Sequence, residues 1–260
     1  MKSARSLFDL DGRTALITGG SRGLGLQIAE ALGDYGARIV LTARKVLELE
    51  SAQQHLRERG IDASYLIADV AKRDSVQALV DAALERLGRI DILVNNAGAS
   101  WGAPAEDYPL EAWDKLFGLN VRGLFLLSQQ IGKRSMIPNS YGRILNIASI
   151  AGLRGNPPGT LQTIAYNSAK GAVVNLTRAL AGEWGRHNIT VNALAPGFFP
   201  SKMTAGVIER FGEAALIGNA PLRRLGDDED LKGAALLFTS GAGRHITGQI
   251  LAVDGGITAV

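Results

Sequence analysis

Seven short runs rich in apolar and β-branched residues, at 14–18, 38–42, 64–67, 91–94, 142–147, 190–194 and 250–253, alternate with segments of helical patterning. This alternation constrains the fold more than any other feature of the chain. Strands joined by helices pack as a parallel sheet with helices on both faces. Between the third and fourth runs, Val76, Leu79, Val80, Ala83, Leu84 and Leu87 recur at helical spacing, which predicts an amphipathic helix lying on one sheet face and closed by Gly88. No internal repeat, low-complexity tract or linker rich in Pro, Gly or Ser divides the 260 residues. The expectation is one doubly wound α/β domain over residues 1–260, a Rossmann fold with a seven-stranded parallel sheet.

Composition narrows the chemistry. With no Cys, disulfides, thiolate catalysis and Cys-based metal sites are excluded, and His55, His187 and His245 show no ligand spacing, so no metal is expected. The start of the chain lacks the apolar length of a signal peptide, and no apolar run approaches the roughly 20 residues of a membrane span. A cytoplasmic protein without a membrane partner is expected. A net charge of +3 suits an anionic ligand but falls short of a nucleic-acid footprint.

The first strand run leads into Thr18-Gly19-Gly20-Ser21-Arg22-Gly23-Leu24-Gly25, followed by a helical pattern through Gln27, Ile28, Ala29 and Leu32. Glycines at 19, 23 and 25 allow a sharp turn and close approach of a diphosphate, to which the helix N-terminus offers N–H groups and the positive end of its dipole. A dinucleotide fold that takes NAD places an acidic residue at the end of the second strand to accept the ribose hydroxyls. Here the segment reads Ala43-Arg44-Lys45, and the acid is absent. Arg44 can fork onto a 2′-phosphate while Arg22 closes from the glycine turn, which points to NADP(H).

Tyr166-Asn167-Ser168-Ala169-Lys170 sets a phenol four residues ahead of an ammonium, with Ser149 upstream after the apolar run 144–147. On a helix, residues i and i+4 share a face, so both groups can point into one cleft. A phenol is a poor acid near neutrality, with a reference pKa of about 10, and a nearby cation favours its ionised form. The pattern fits proton transfer to or from an oxygen.

Taken in order, Thr18-Gly19 through Gly25, Asp69-Val70, Asn95-Asn96-Ala97-Gly98, Asn120, Ser149, Tyr166 with Lys170, Pro196-Gly197 and Asp254-Gly255-Gly256 resemble the short-chain dehydrogenase/reductase superfamily in its single-domain form. The resemblance covers essentially the whole chain. Within the superfamily the chain is similar to 3-oxoacyl-thioester reductases and to bacterial gluconate 5-dehydrogenase-like enzymes. The resemblance implies that Asp69 and Val70 contact adenine, that Asn96, Ala97 and Gly98 line the cofactor wall, and that Pro196, Gly197, Phe199 and Ser201 receive the nicotinamide. It implies that Tyr166 is the general acid in reduction and the base in oxidation. Lys170 is then expected to depress the phenol pKa and bind the nicotinamide ribose, Ser149 to hydrogen-bond the substrate oxygen, and Asn120 to position a water linking Lys170 to solvent. Asn95 is read as a tie between strand ends, and Asp254 as a turn former. A homotetramer packed through helices around 120–131 and 172–184 is also implied.

Two regions are expected to set specificity. Ser149 and Tyr166 lie 17 positions apart, farther than is usual for the family, with Gly155-Asn-Pro-Pro-Gly-Thr-Leu-Gln162 between them. Two prolines and two glycines predict an irregular excursion, expected on the substrate rim. From 198 to 222, Phe198, Phe199, Met203, Val207, Ile208, Phe211, Leu216 and Ile217 read mostly as core at helical spacing, with a lid over the substrate as the rival reading. Trp101 beside the cofactor wall adds apolar surface. The leading expectation is an NADPH-dependent carbonyl reductase acting on a small-molecule carbonyl or alcohol, with 3-oxoacyl thioesters first. The alternatives are a gluconate 5-dehydrogenase-like sugar-acid or polyol dehydrogenase, and a catalytically silent dinucleotide-binding sensor. The presence of Asn120, Ser149, Tyr166 and Lys170 together favours turnover.

Overall fold

Strand β1 (Thr14–Thr18) is buried at all five positions, the pattern of a strand covered on both faces. The computed structural model describes residues 3–157 and 159–260; Met1 and Lys2 at the start of the chain, and Pro158 of the predicted excursion, lie outside the described residues. On one side of β1 stand β2 (Arg38–Ala43) and β3 (Ala63–Ile67); on the other, β4 (Ile92–Asn95), β5 (Gly142–Ile147), β6 (Ile189–Pro196) and β7 (Ile250–Val253). All neighbours pair in parallel, in the order β3-β2-β1-β4-β5-β6-β7. The chain reverses its direction of growth between β1 and β4, and a crevice opens beyond the carboxyl ends of the strands at such a point.

The helices are α1 (Gly23–Asp34), α2 (Val46–Glu58), α3 (Arg73–Leu87), α4 (Leu110–Phe117), α5 (Leu124–Ile131), α6 (Ile164–Trp184), α7 (Ala205–Phe211), α8 (Glu213–Ile217) and α9 (Lys232–Thr239). Because side chains alternate along a strand, Ile17, Ile39 and Leu41 meet α1, α2 and α9 on one face. Leu16, Val40 and Leu93 meet α3, α5 and α6 on the other. The helix predicted over 76–87 is α3: Val76, Leu79, Val80, Ala83 and Leu87 are buried, and Gly88 ends it at φ 76° by donating its N–H to the Leu84 carbonyl. Burying each such Leu or Val side chain contributes about 1.5–3 kcal/mol before chain entropy is counted.

Within this apolar frame a buried polar chain fixes the site-bearing elements. Asn95 Nδ2 donates to Ser128 Oγ at 3.0 Å and to Asn146 Oδ1 at 2.9 Å, and Asn146 Nδ2 donates to Thr177 Oγ1 at 2.9 Å. Asn95 thus ties β4 to α5 and β5, and Asn146 carries the tie on to α6.

Asn120 sits in a π-helical turn (Gly118–Gly123) that separates α4 from α5. One expectation needs correction. The core reading of the 198–222 stretch fails: α7 and α8 bury none of their residues, and only Phe199 and Ala220 of the stretch are buried. Helices of seven and five residues are too short to lay an apolar stripe on a sheet that other helices already cover.

Candidate active site

The glycine turn joins β1 to α1 at the crevice. Gly19 and Gly23 have φ of 61° and 53°, in the left-handed region that favours glycine. Gly25 is needed for space: a Cβ there would press on the Gly19 carbonyl and come within 2.5 Å of Asn96 Nδ2. Asn96 Nδ2 itself donates to the carbonyls of Thr18 and Gly19, both at 3.0 Å, drawing the turn against the start of the helix. No side chain caps α1 at Arg22, so its first-turn N–H groups remain available to an anion. A turn that a single methyl would disrupt, followed by an uncapped helix start, fits a dinucleotide diphosphate.

A cleft of about 520 Å³ runs from this turn across the strand ends. Its first half is lined by Gly19, Ser21, Arg22, Gly23, Leu24, Arg44, Asp69, Val70, Asn96, Ala97 and Gly98, its second by Ser149, Tyr166, Lys170, Pro196, Gly197, Phe199 and Ser201. Of the catalytic and cofactor-binding residues anticipated from the sequence, Gly25 and Asn120 alone stand outside the lining. Asn120 accepts the Ala99 N–H on Oδ1 at 3.0 Å and donates to the Ala99 carbonyl from Nδ2 at 2.9 Å, so its amide braces the wall at 98–99. Asp69 spends a carboxylate oxygen on the Ala71 N–H at 3.1 Å. Gly197 packs against Asp254, whose carboxylate accepts the N–H groups of Gly256 and Thr258 in a turn.

In the second half, β5 delivers Ser149, whose Oγ accepts the Ala151 N–H at 3.1 Å. One turn of α6 separates Tyr166 from Lys170, as their spacing predicts. Lys170 is buried, donates from Nζ to the Ile147 carbonyl at 2.6 Å, and lies 5.6 Å from the centroid of the Tyr166 ring. Burial pulls the ammonium pKa from 10.5 to about 8. Burial also raises the Tyr166 phenol above its ordinary value, and the Ser149 hydroxyl draws it part of the way back. The expected acidification of the phenol by Lys170 is therefore not expressed in this arrangement. The ammonium is itself disfavoured by desolvation and directs its proton to a backbone carbonyl.

The predicted excursion stands beside the cleft rather than in its lining. Asn156 Nδ2 donates to the Leu161 carbonyl at 2.7 Å and to Thr163 Oγ1 at 3.0 Å, and exchanges longer bonds with Asn167, the neighbour of Tyr166. The Gln162 carbonyl accepts the Ala103 N–H at 2.9 Å, joining the segment to the loop that carries Trp101.

Further lining residues were given no role from the sequence, among them Thr18, Glu48 and Lys202. Thr18 Oγ1 accepts the N–H groups of Asn96 and Ala97, both at 3.0 Å, and the Thr-Gly step closing the first strand run is the signal that marks it. Glu48 and Lys202 also line the cleft and carry no local signal. Among the described residues, no cluster of His, Cys, Asp and Glu suits a metal ion, and no helix is long and apolar enough to cross a membrane.

Comparison with known proteins bears on what this cleft does. Residues 19–258 match a family described as enoyl-(acyl carrier protein) reductase. A gluconate 5-dehydrogenase of Gluconobacter oxydans is 43% identical over 97% of each chain. The rhamnolipids biosynthesis 3-oxoacyl-[acyl-carrier-protein] reductase of Pseudomonas aeruginosa is 38% identical, over 96% of this chain and 97% of that one. Among solved structures, a gluconate 5-dehydrogenase from Burkholderia cenocepacia in complex with NADP and tartrate superposes with a TM-score of 0.93 at 36% identity, covering 99% of this chain and 100% of the other.

Proposed function

The chain belongs to the short-chain dehydrogenase/reductase family, and on that premise we propose that it is an NADP(H)-dependent oxidoreductase interconverting a ketone and a secondary alcohol. One observation carries the reading: Ser149, Tyr166 and Lys170 meet in the same cleft whose other end is the glycine turn. When bound, NADP(H) supplies or accepts the hydride. The protein's own part is the proton. At neutral pH the Tyr166 phenol, held above its ordinary pKa, is protonated and so ready to donate to the substrate oxygen during reduction. The phenolate left behind faces the Lys170 ammonium, and Ser149 offers a hydroxyl to the same oxygen. Alcohol oxidation runs the transfer in reverse. The Asn120 brace keeps the wall at Gly98 and Ala99 in place beside Lys170.

For the substrate we take polyhydroxy acids of the gluconate type first, supported by the 43% identity to a gluconate 5-dehydrogenase. The 3-oxoacyl-thioester reading stays second. It is supported by apolar side chains left outside, Trp101 on the loop joined to Gln162 and Met203 in the cleft lining, which are 56% and 47% exposed. A homotetramer belongs to the same proposal; exposed Leu110 on α4 and Phe125 on α5 supply apolar surface for it.

The test follows NADPH consumption with 5-keto-D-gluconate, acetoacetyl thioesters and simple ketones in parallel. Sugar-acid turnover above the others is expected, with Tyr166→Phe lowering it by about 100-fold or more while NADPH still binds. Thioester turnover alone would install the second reading. NADPH binding with no carbonyl turned over would replace both with a silent sensor.

A further inference from the structure

We propose that Glu48 is the internal counter-anion of the subsite for the cofactor's 2′-phosphate, and that it moderates the preference for NADP(H) over NAD(H). The inference rests on the NADP(H) reading and adds a residue to it. Glu48 lies in the first turn of α2 and faces the glycine turn across the adenosine end of the cleft. Its Oε1 is 2.7 Å from Arg22 Nη1, 3.4 Å from Lys45 Nζ and 3.5 Å from Lys202 Nζ, and its Oε2 accepts from Ser21 Oγ at 3.5 Å. These partners come from three separate places: the glycine turn, the residue capping α2, and the segment after β6. Arg44 lines the same end and pairs with no carboxylate among the described residues.

Three cations therefore hold one carboxylate while a fourth, Arg44, stands at the same end, and the subsite keeps a positive excess. Partial burial disfavours the Glu48 carboxylate, but Arg22 foremost, with Lys45 and Lys202, holds its pKa below the ordinary carboxylate range. Side-chain exposures of 25% for Glu48, 48% for Arg22, 67% for Lys45 and 69% for Lys202 make these pairs individually weak and readily exchanged. A phosphate monoester carries a charge of about −1.5 to −2 and three strong acceptor oxygens, so it outcompetes a single carboxylate for the Arg22 fork. A ribose with a free 2′-hydroxyl brings no charge and leaves the Arg22 pair with Glu48 intact. Glu48 thus keeps the cation cluster assembled and takes part of the advantage away from the phosphorylated cofactor.

Calorimetric titration of the full chain with 2′,5′-ADP and with 5′-AMP reads this directly, without turnover. In Glu48→Gln, 2′,5′-ADP is expected to bind about 3- to 10-fold tighter at low salt, with 5′-AMP changed less than about twofold. The gain should shrink toward parity near 1 M salt, where the Debye length is about 3 Å. It should also be smaller when introduced into Arg22→Ala, because Arg22 is the cation Glu48 holds most closely. An unchanged ratio of the two affinities in Glu48→Gln would overturn the role of Glu48 while leaving the NADP(H) reading standing. Weaker 5′-AMP binding in that variant would also overturn it, since Glu48 would then be an acceptor for ribose hydroxyls. A wild-type chain that binds 2′,5′-ADP no better than 5′-AMP would remove the cofactor reading and the proposal with it.

Discussion

Lys170 has the most sharply defined energetic signature in the cleft. Its ammonium is buried, donates to the Ile147 carbonyl at 2.6 Å and has no carboxylate partner among the described residues, so burial lowers its pKa from 10.5 to about 8. Below about pH 8 the folded and unfolded chains hold this proton alike, and the folded state bears the full cost of a buried charge. Between about 8 and 10.5 the folded chain has released the proton while the unfolded chain retains it. Stability therefore rises with pH in that window, by about 1.4 kcal/mol per unit and on the order of 3 kcal/mol in all. Lys170→Met keeps an apolar stem and removes the charge, but it strips the Ile147 carbonyl of its donor at a cost of about 1–3 kcal/mol. Urea unfolding of both proteins at pH 7, 8, 9 and 10 isolates the effect, because the other lysines and tyrosines cancel in the difference. The variant is expected to match or exceed the wild type at pH 7 and to fall behind it as pH rises. Parallel pH dependences of the two proteins would refute the reasoning.

Gly25→Ala places a Cβ against the Gly19 carbonyl and Asn96, backbone and anchored side chain that cannot give way freely. We expect a loss of about 1–3 kcal/mol in thermal or urea unfolding, with at least about tenfold weaker 2′,5′-ADP binding; a variant with unaltered melting and affinity would rule out the cradle. Asn156→Ala removes the bonds from the excursion to Leu161, Thr163 and Asn167. The substrate KM is expected to change several-fold, with nucleotide affinity within about twofold, since none of the lost bonds reaches the nucleotide end of the cleft; an equal loss of nucleotide affinity would defeat that separation.

What was legible in the chain before folding depended on whether the relevant contact was local. The central strands announced themselves because parallel strands covered on both faces must be apolar at nearly every position, as β1 is. The shared face of Tyr166 and Lys170 follows from a single helical turn, and α3 from its own stripe. The direction of the phenol shift was not legible, because i, i+4 spacing reports proximity but not burial. In the folded cleft, desolvation of both groups outweighs the help one was expected to give the other. The 198–222 stretch misled for a related reason: helical spacing of apolar residues predicts a buried face only when some surface remains to be covered, and the sheet had none to offer.

Glu48 marks the outer limit of such reading. In sequence it is one acidic residue in the first turn of a helix, where a carboxylate is ordinarily explained by the helix dipole alone. Its other partners become visible only when the topology brings the glycine turn, the start of α2 and the segment after β6 to one end of the cleft, pairing positions as far apart as 48 and 202. Arg22 and Arg44 could be assigned to a phosphate from the strand-turn-helix pattern because that pattern fixes where they stand. The acid that competes for Arg22 is set by packing between separate elements. The cofactor class of such a chain can thus be read from its first 45 residues, whereas the strength of that preference depends on charges delivered from elsewhere in the fold.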